Sequence, residues 1–159
     1  KTVKENNLDD CYIRPIAFYG GGKMGLNPSG APVNVVIAAW PWPAYIGETA
    51  KVCTSDYIRI HPKSLQATKK ICGHYVNSIM ASQEAKEKGF DESLLLDWQG
   101  YVAEGPGENV FMVKQDKITT PPKSEKILPG ITRDSIIEIL SSGGISGAPY
   151  VVASCSTGC

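Results

Sequence analysis

Two stretches near the start of the chain, CYIRPIAFY at residues 11–19 and VNVVIAAW at residues 33–40, carry closely spaced apolar and β-branched residues over strand-like lengths. The Gly-rich GGGKMGLNPSG lies between them, so the pattern predicts two strands joined by a loop. PWPAYIGETAK, residues 41–51, has two prolines and no periodicity. It reads as a connection between domains, and aromatic side chains on such a connection are candidates for ligand contact. From Ser64 to Lys88 the pattern becomes helical, with Tyr75, Val76, Ile79, Met80 and Gln83 recurring at three and four and Gly89 ending the run. Gly73 belongs near the start of that helix, because glycine weakens a helix interior.

Further on, ESLLLDWQGYVAEG predicts two strands around the turn DWQG, and NVFMVKQDKITTPP predicts a second hairpin. KILPGITRDSIIEIL is the clearest helix entry, with Pro129 and Gly130 turning the backbone, Thr132 placed to cap, and Ile136, Ile137 and Leu140 forming an apolar face. Beyond Leu140 the small-residue segment SSGGISGAPYVVASCSTGC specifies no second element. Hairpins alternating with helices in this order indicate a mixed α+β or α/β fold rather than a regular parallel βαβ sheet.

Composition narrows the function classes. With 159 residues, 16 basic and 16 acidic side chains, the formal charge is zero, so no overall field favours nucleic acid or an anionic membrane as partner. A small or mixed-charge ligand is expected instead. No apolar run approaches the ~20 residues of a membrane span, and the polar start KTVKENN has no signal-peptide core, which points to a soluble, cytoplasmic protein. Cys11, Cys53, Cys72, Cys155 and Cys159 have no zinc-ligand spacing and suit idle thiols in a reducing compartment. With His61 and His74 as the two histidines, no metal site is expected, and His74 reads as a packing residue.

Candidate chemistry centres on QATKKICGHYVNS, where Lys69 and Lys70 stand side by side. A lysine is a nucleophile only when deprotonated, which burial or a neighbouring cation favours. The pair alone favours a solvated basic helix entrance. Three further pieces change the weight: Tyr75 five residues after Lys70, Glu104 in YVAEGPGENVF beside Gly105 and Gly107, and the LPGIT turn. In that turn the amides of Ile131 and Thr132 open a helix N-terminus suited to a phosphate. An amine, a phenol, a carboxylate and a phosphate cradle make pyridoxal 5'-phosphate one candidate ligand among several.

The run from Lys70 to Tyr75, EGPGENVF and LPGITRD, in that order, resemble the fold-type IV pyridoxal-phosphate aminotransferases, and within them the branched-chain amino-acid aminotransferases. The resemblance extends from about Val3 to Leu140. It implies that Lys70 is the lysine bonded to the cofactor, that Tyr75 bonds its phenolic oxygen, and that Glu104 holds the pyridine nitrogen. Leu128, Ile131 and Thr132 would line the ring and phosphate, and Glu108 would support its own loop. His74 stands where the family has asparagine. The family's upstream phosphate-binding arginine has no counterpart, since Arg14, Arg59 and Arg133 fall outside that motif, and the chain is expected to be partial.

YIRPI resembles the branched-chain strand in which Tyr12 and Arg14 recognise substrate carboxylates, and PWPAYIG the interdomain loop, with Trp42 and Tyr45 as wall residues. The implied layout is residues 1–41 as part of the small N-terminal domain, 42–52 as interdomain loop, 53–140 as part of the large cofactor-binding domain, and 141–159 unassigned. In that tail Ser156, Thr157 and Gly158 only faintly echo a phosphate-binding turn. The implied reaction is transamination of leucine, isoleucine and valine with 2-oxoglutarate by a homodimer or larger homo-oligomer. D-amino-acid aminotransferase, aminodeoxychorismate lyase and a non-catalytic fragment that acts by association are the rival expectations.

Overall fold

A computed structural model describes residues 1–22, 24–43, 49–115, 117–124 and 126–142 of the chain. It divides into two compact units, Lys1–Gly47 and Glu48–Cys159. In the first unit, after the short helix α1 (Thr2–Glu5), strands β1 (Tyr12–Tyr19) and β2 (Val33–Trp40) form an antiparallel ribbon in which Tyr12 pairs with Trp40 and Tyr19 with Val33. Both strands fall where the apolar runs predict them. Pro15 is compatible with the ribbon because a two-stranded sheet consists of edges.

The second unit holds β3 (Val52–Thr54), a 3-10 turn (Cys72–His74), α2 (Tyr75–Glu87), β4 (Glu92–Leu96), β5 (Val102–Glu104), β6 (Met112–Lys114), β7 (Lys117–Thr119) and α3 (Ile131–Ser142). β4 is the middle strand of a three-stranded sheet, parallel to β3 and antiparallel to β5, so β3, α2 and β4 form one βαβ unit within a mixed fold. β3 starts at Val52, directly after the stretch that lacked periodicity. β6 and β7 form a separate hairpin. No helix among the described residues is long and apolar enough to cross a membrane.

Two expectations for α2 are corrected. The helix begins at Tyr75, after the 3-10 turn, and residues 64–71 are turns and loop. Its buried face is made by Ser78, Ala81 and Ala85, which pack α2 closely onto β4, whereas Val76 and Ile79 are 61% and 53% exposed. Small residues let a helix approach a sheet where larger ones would hold it off, and this outweighs the hydrophobic periodicity. The helix stops as predicted: Gly89 takes φ +79°, with its N–H donating to the Lys86 carbonyl and that of Phe90 to the Ala85 carbonyl. In α3, Thr132 is the second helical residue rather than the cap, because the helix already begins at Ile131. Ile136, Ile137 and Leu140 are half-buried, in line with their predicted face.

Glu84 ties α2 to the segment after β3: it accepts from the Ser55 hydroxyl and the Asp56 amide and pairs with Lys88. Lys88, with help from Ser55, holds the Glu84 carboxyl down to about 2 from an ordinary 4.5. A carboxyl depressed in the folded state adds stability above pH 4.5 and loses it as pH falls toward about 2. Thermal melts across that window are expected to show a steeper acid loss for the wild type than for Glu84→Gln. Parallel curves would contradict the tie.

Candidate active site

Glu104 ends β5, opposite Leu95 of the central strand, and is 5% exposed. Its position follows from the preceding turn. Asp97 accepts from the amides of Gln99 and Tyr101 through Oδ1, and Gly100 takes φ +85°, which glycine adopts without strain. The chain therefore reverses tightly and returns Glu104 to the end of the sheet. The next loop is closed by the Gly105 amide donating to the Glu108 carbonyl at 2.8 Å, with Glu108 Oε2 accepting from the Gly107 amide at 3.2 Å.

Three donors converge on the Glu104 carboxylate: Arg59 Nε in a buried ion pair, Asn109 Nδ2 at 3.0 Å and the Leu128 amide at 3.1 Å. Burial pushes its pKa above the ordinary value, while Arg59 and the Leu128 amide pull it back. Arg59 is itself anchored, its amide donating to the Leu96 carbonyl at 2.7 Å and Nη2 reaching the Ala67 carbonyl at 3.4 Å. Asn109 Nδ2 also donates to the Leu128 carbonyl at 3.0 Å. Gly130 leaves room for it, since a Cβ there would stand 2.2 Å from Asn109 Oδ1. The Leu128 amide is shared between the two oxygens, 3.2 Å from Oε1 and 3.1 Å from Oε2, so three donors make four contacts to the carboxylate.

That carboxylate lines a recess of about 40 Å³ together with Lys69, Lys70, His74, Tyr75 and Leu128. Lys69, Lys70, Asn109 and Leu128 also line a neighbouring cleft of about 650 Å³, which continues to Ile131 and Thr132 at the start of α3. The larger volume is in the range of small-molecule sites, roughly 300–1,000 Å³, whereas the recess has room for little more than a few water-sized groups or the edge of a ring. Lys70 Nζ lies 5.9 Å from the centre of the Tyr75 ring. The arrangement offers an amine, a phenol and a buried carboxylate along the recess, and a helix N-terminus along the cleft. It can hold an anionic aromatic aldehyde: amine to carbonyl carbon, carboxylate to a ring N–H, and amides to the anion.

The family model described as "Amino-transferase class IV" matches residues 1–148. The chain belongs to the class IV aminotransferases. It is 48% identical over 148 residues to a branched-chain-amino-acid aminotransferase of Pseudomonas aeruginosa, covering 90% of the chain and 48% of that relative. Among solved structures, the branched-chain amino acid aminotransferase of Escherichia coli superposes with a TM-score of 0.90 at 38% identity, over 96% of this chain and 52% of that one. The Thermobaculum terrenum branched-chain enzyme, solved in its PLP-form, gives 0.85 at 33% identity, over 94% and 50%. This class IV chain thus spans about half the length of the curated relatives it matches.

The fold reading as a mixed α/β, fold-type IV aminotransferase agrees with these matches. Of the residues singled out in the sequence, Lys70, Tyr75, Glu104, Leu128, Ile131 and Thr132 all lie along the two adjoining cavities of the second unit. In the first unit Arg14 Nε donates to the Tyr12 hydroxyl at 3.1 Å, and the Tyr12 ring is 5.1 Å from that of Trp42. Trp40, not singled out, completes the cluster at 5.2 Å from Tyr12. Asp10, Tyr12 and Trp42 line a cleft of about 500 Å³ there. Tyr45, Ser156, Thr157 and Gly158 lie outside the described residues.

Sequence reasoning missed Arg59 and Asn109. No sequence motif holds Arg59, and its partner Glu104 is 45 positions away. The available signal was a carboxylate in a predicted strand end, which needs a cation to stay ionised when buried. Asn109 was passed over within EGPGEN, although a loop asparagine often fixes neighbouring backbone.

Proposed function

We propose that the protein carrying this chain is a pyridoxal-phosphate-dependent aminotransferase moving the amino group of leucine, isoleucine or valine to 2-oxoglutarate. The observation that carries the proposal is the convergence of Lys70, Tyr75 and Glu104 on one recess that opens beside a helix N-terminus. The residues fit the cofactor: Glu104 lines the recess with Lys70 and Tyr75, and the Leu128 N–H that its two oxygens share can settle on one of them and leave the other to a ring N–H. When bound, pyridoxal phosphate supplies an aldehyde carbon and an electron-accepting ring.

Lys70 Nζ would hold the cofactor covalently and, once freed by the incoming amino acid, would carry the substrate α-carbon proton to the cofactor's C4′. Glu104 would keep a proton on the ring nitrogen. Arg59 favours the ionised carboxylate, which would accept a hydrogen bond from the ring N–H and so favour the protonated ring. Tyr75 would donate to the ring oxygen next to the aldehyde. Leu128 and Ile131 would line the ring, and the amides of Ile131 and Thr132 would receive the phosphate.

Tyr12, Arg14, Trp42 and Tyr45 are proposed as the substrate-recognising group, with Arg14 as the cation for the carboxylates and the aromatic rings as apolar walls. The mutual contacts of Tyr12, Arg14 and Trp42 support this reading. We also propose a cytoplasmic homo-oligomer. The branched-chain relatives favour this activity over the D-amino-acid and lyase readings. Steady-state assays with 2-oxoglutarate test it: L-leucine is expected to serve as donor at least about a hundredfold better than D-alanine, as differences of ~3 kcal/mol in pocket fit allow. Equal use of both donors, or preference for D-alanine, would contradict it.

A further inference from the structure

His74 is 6% exposed and closes the 3-10 turn that leads into α2. Its ring Nδ1 lies 3.1 Å from the Lys69 carbonyl oxygen. A carbonyl only accepts, so Nδ1 carries the proton of this hydrogen bond. The Lys69 carbonyl belongs to the peptide plane that also contains the Lys70 nitrogen. That same oxygen accepts the Ile71 amide at 3.0 Å, which makes a three-residue turn centred on Lys70. The His74 amide in turn donates to the Ile71 carbonyl at 3.1 Å.

Lys70 therefore stands in a narrow turn whose acceptor carbonyl receives a second donor from the His74 ring. The direction in which the Lys70 side chain leaves the backbone depends on the two peptide planes flanking its Cα, and the hydrogen bond between the Lys69 carbonyl and the Ile71 amide links those planes. A three-residue turn holds itself with one bent hydrogen bond, so an additional donor on the same oxygen limits its opening. His74 also lines the recess with Lys70, Tyr75 and Glu104, so the clamp is adjacent to the amine it orients.

We propose that His74 is the positioning residue of Lys70: its Nδ1–H clamps the Lys70 turn and aims the lysine amine into the recess. This rests on the proposed role of Lys70 as the cofactor-bonding lysine. In asparagine the Nδ2 atom is two bonds from Cβ, as Nδ1 is in histidine, so either residue can present an N–H to the same carbonyl. Glutamine carries its N–H one bond further out and cannot do so without moving the backbone.

The test compares the wild type, His74→Asn and His74→Gln in the protein carrying this chain. Each is titrated with pyridoxal phosphate, the visible absorbance of the lysine-bound cofactor is followed, and the cofactor-free thermal midpoint is measured alongside. His74→Gln is expected to capture the cofactor about tenfold more weakly, the worth of one net hydrogen bond, while His74→Asn stays close to wild type. Cofactor-free melting is expected to be similar for the two variants. Capture by His74→Gln as tight as by wild type would overturn the proposal, and so would loss in both variants that tracks a drop in melting temperature. Failure of the wild type itself to develop the absorbance would overturn the assignment of Lys70, and this inference with it, a result distinguishable from normal capture by all three proteins.

Discussion

Lys70→Ala is expected to abolish the visible absorbance of bound pyridoxal phosphate and to lower transamination by at least about 10²–10⁴-fold, the range associated with losing a positioned proton-transfer group. The protein is expected to remain folded, because the Lys70 side chain is exposed and forms no salt bridge among the described residues. The size of the effect follows from two duties falling on one nitrogen: it attaches the cofactor, and it moves the proton of the substrate α-carbon. Lys69→Ala is expected to retain the covalent link, although Lys69 lines the same recess. Loss of the link in Lys69→Ala with retention in Lys70→Ala would transfer both duties to the neighbouring residue.

The second large effect concerns stability. Glu104→Ala removes the carboxylate paired with Arg59, whose side chain is only 8% exposed, and leaves a guanidinium buried without its counter-charge. Breaking one side of such a pair costs about 3–5 kcal/mol, which denaturant unfolding can measure. The Asn109 amide and the Leu128 N–H lose their acceptor in the same substitution. Replacing both members, Arg59→Met with Glu104→Leu, is expected to recover much of the stability, because an apolar pair avoids the desolvation cost of two charges. Activity is expected to stay lost in that double variant, since no carboxylate remains for the ring nitrogen. A Glu104→Ala protein within about 0.5 kcal/mol of wild type would show that the pair is not buried as described.

These two residues also mark how much could be read from the chain alone. The meeting of Lys70, Tyr75 and Glu104 at one recess could be anticipated because each belongs to a short local pattern, and the predicted turn before β5 falls where the structure has it. The β1–β2 ribbon and the β4–β5 and β6–β7 hairpins were legible from short apolar runs and the turns between them. Helix α2 was misplaced at its start and turned to the wrong face. Periodicity reports where large apolar residues recur, but the packing against β4 is set by Ser78, Ala81 and Ala85, whose small size permits contact. Arg59 was illegible as the partner of Glu104 because no local pattern links residues 45 positions apart. The Lys69 carbonyl clamp was missed for the opposite reason. His74 lies only five residues away, yet a ring-to-backbone hydrogen bond leaves no trace in composition or periodicity.

The most direct measurement is to incubate the protein with pyridoxal phosphate, reduce it with borohydride, digest it, and read the modified lysine by fragmentation mass spectrometry. The account predicts a phosphopyridoxyl group on the Lys70 Nζ, resolved from Lys69 by the fragments between them. A label on Lys69 or on any other lysine, or no label after exposure to excess cofactor, would contradict it.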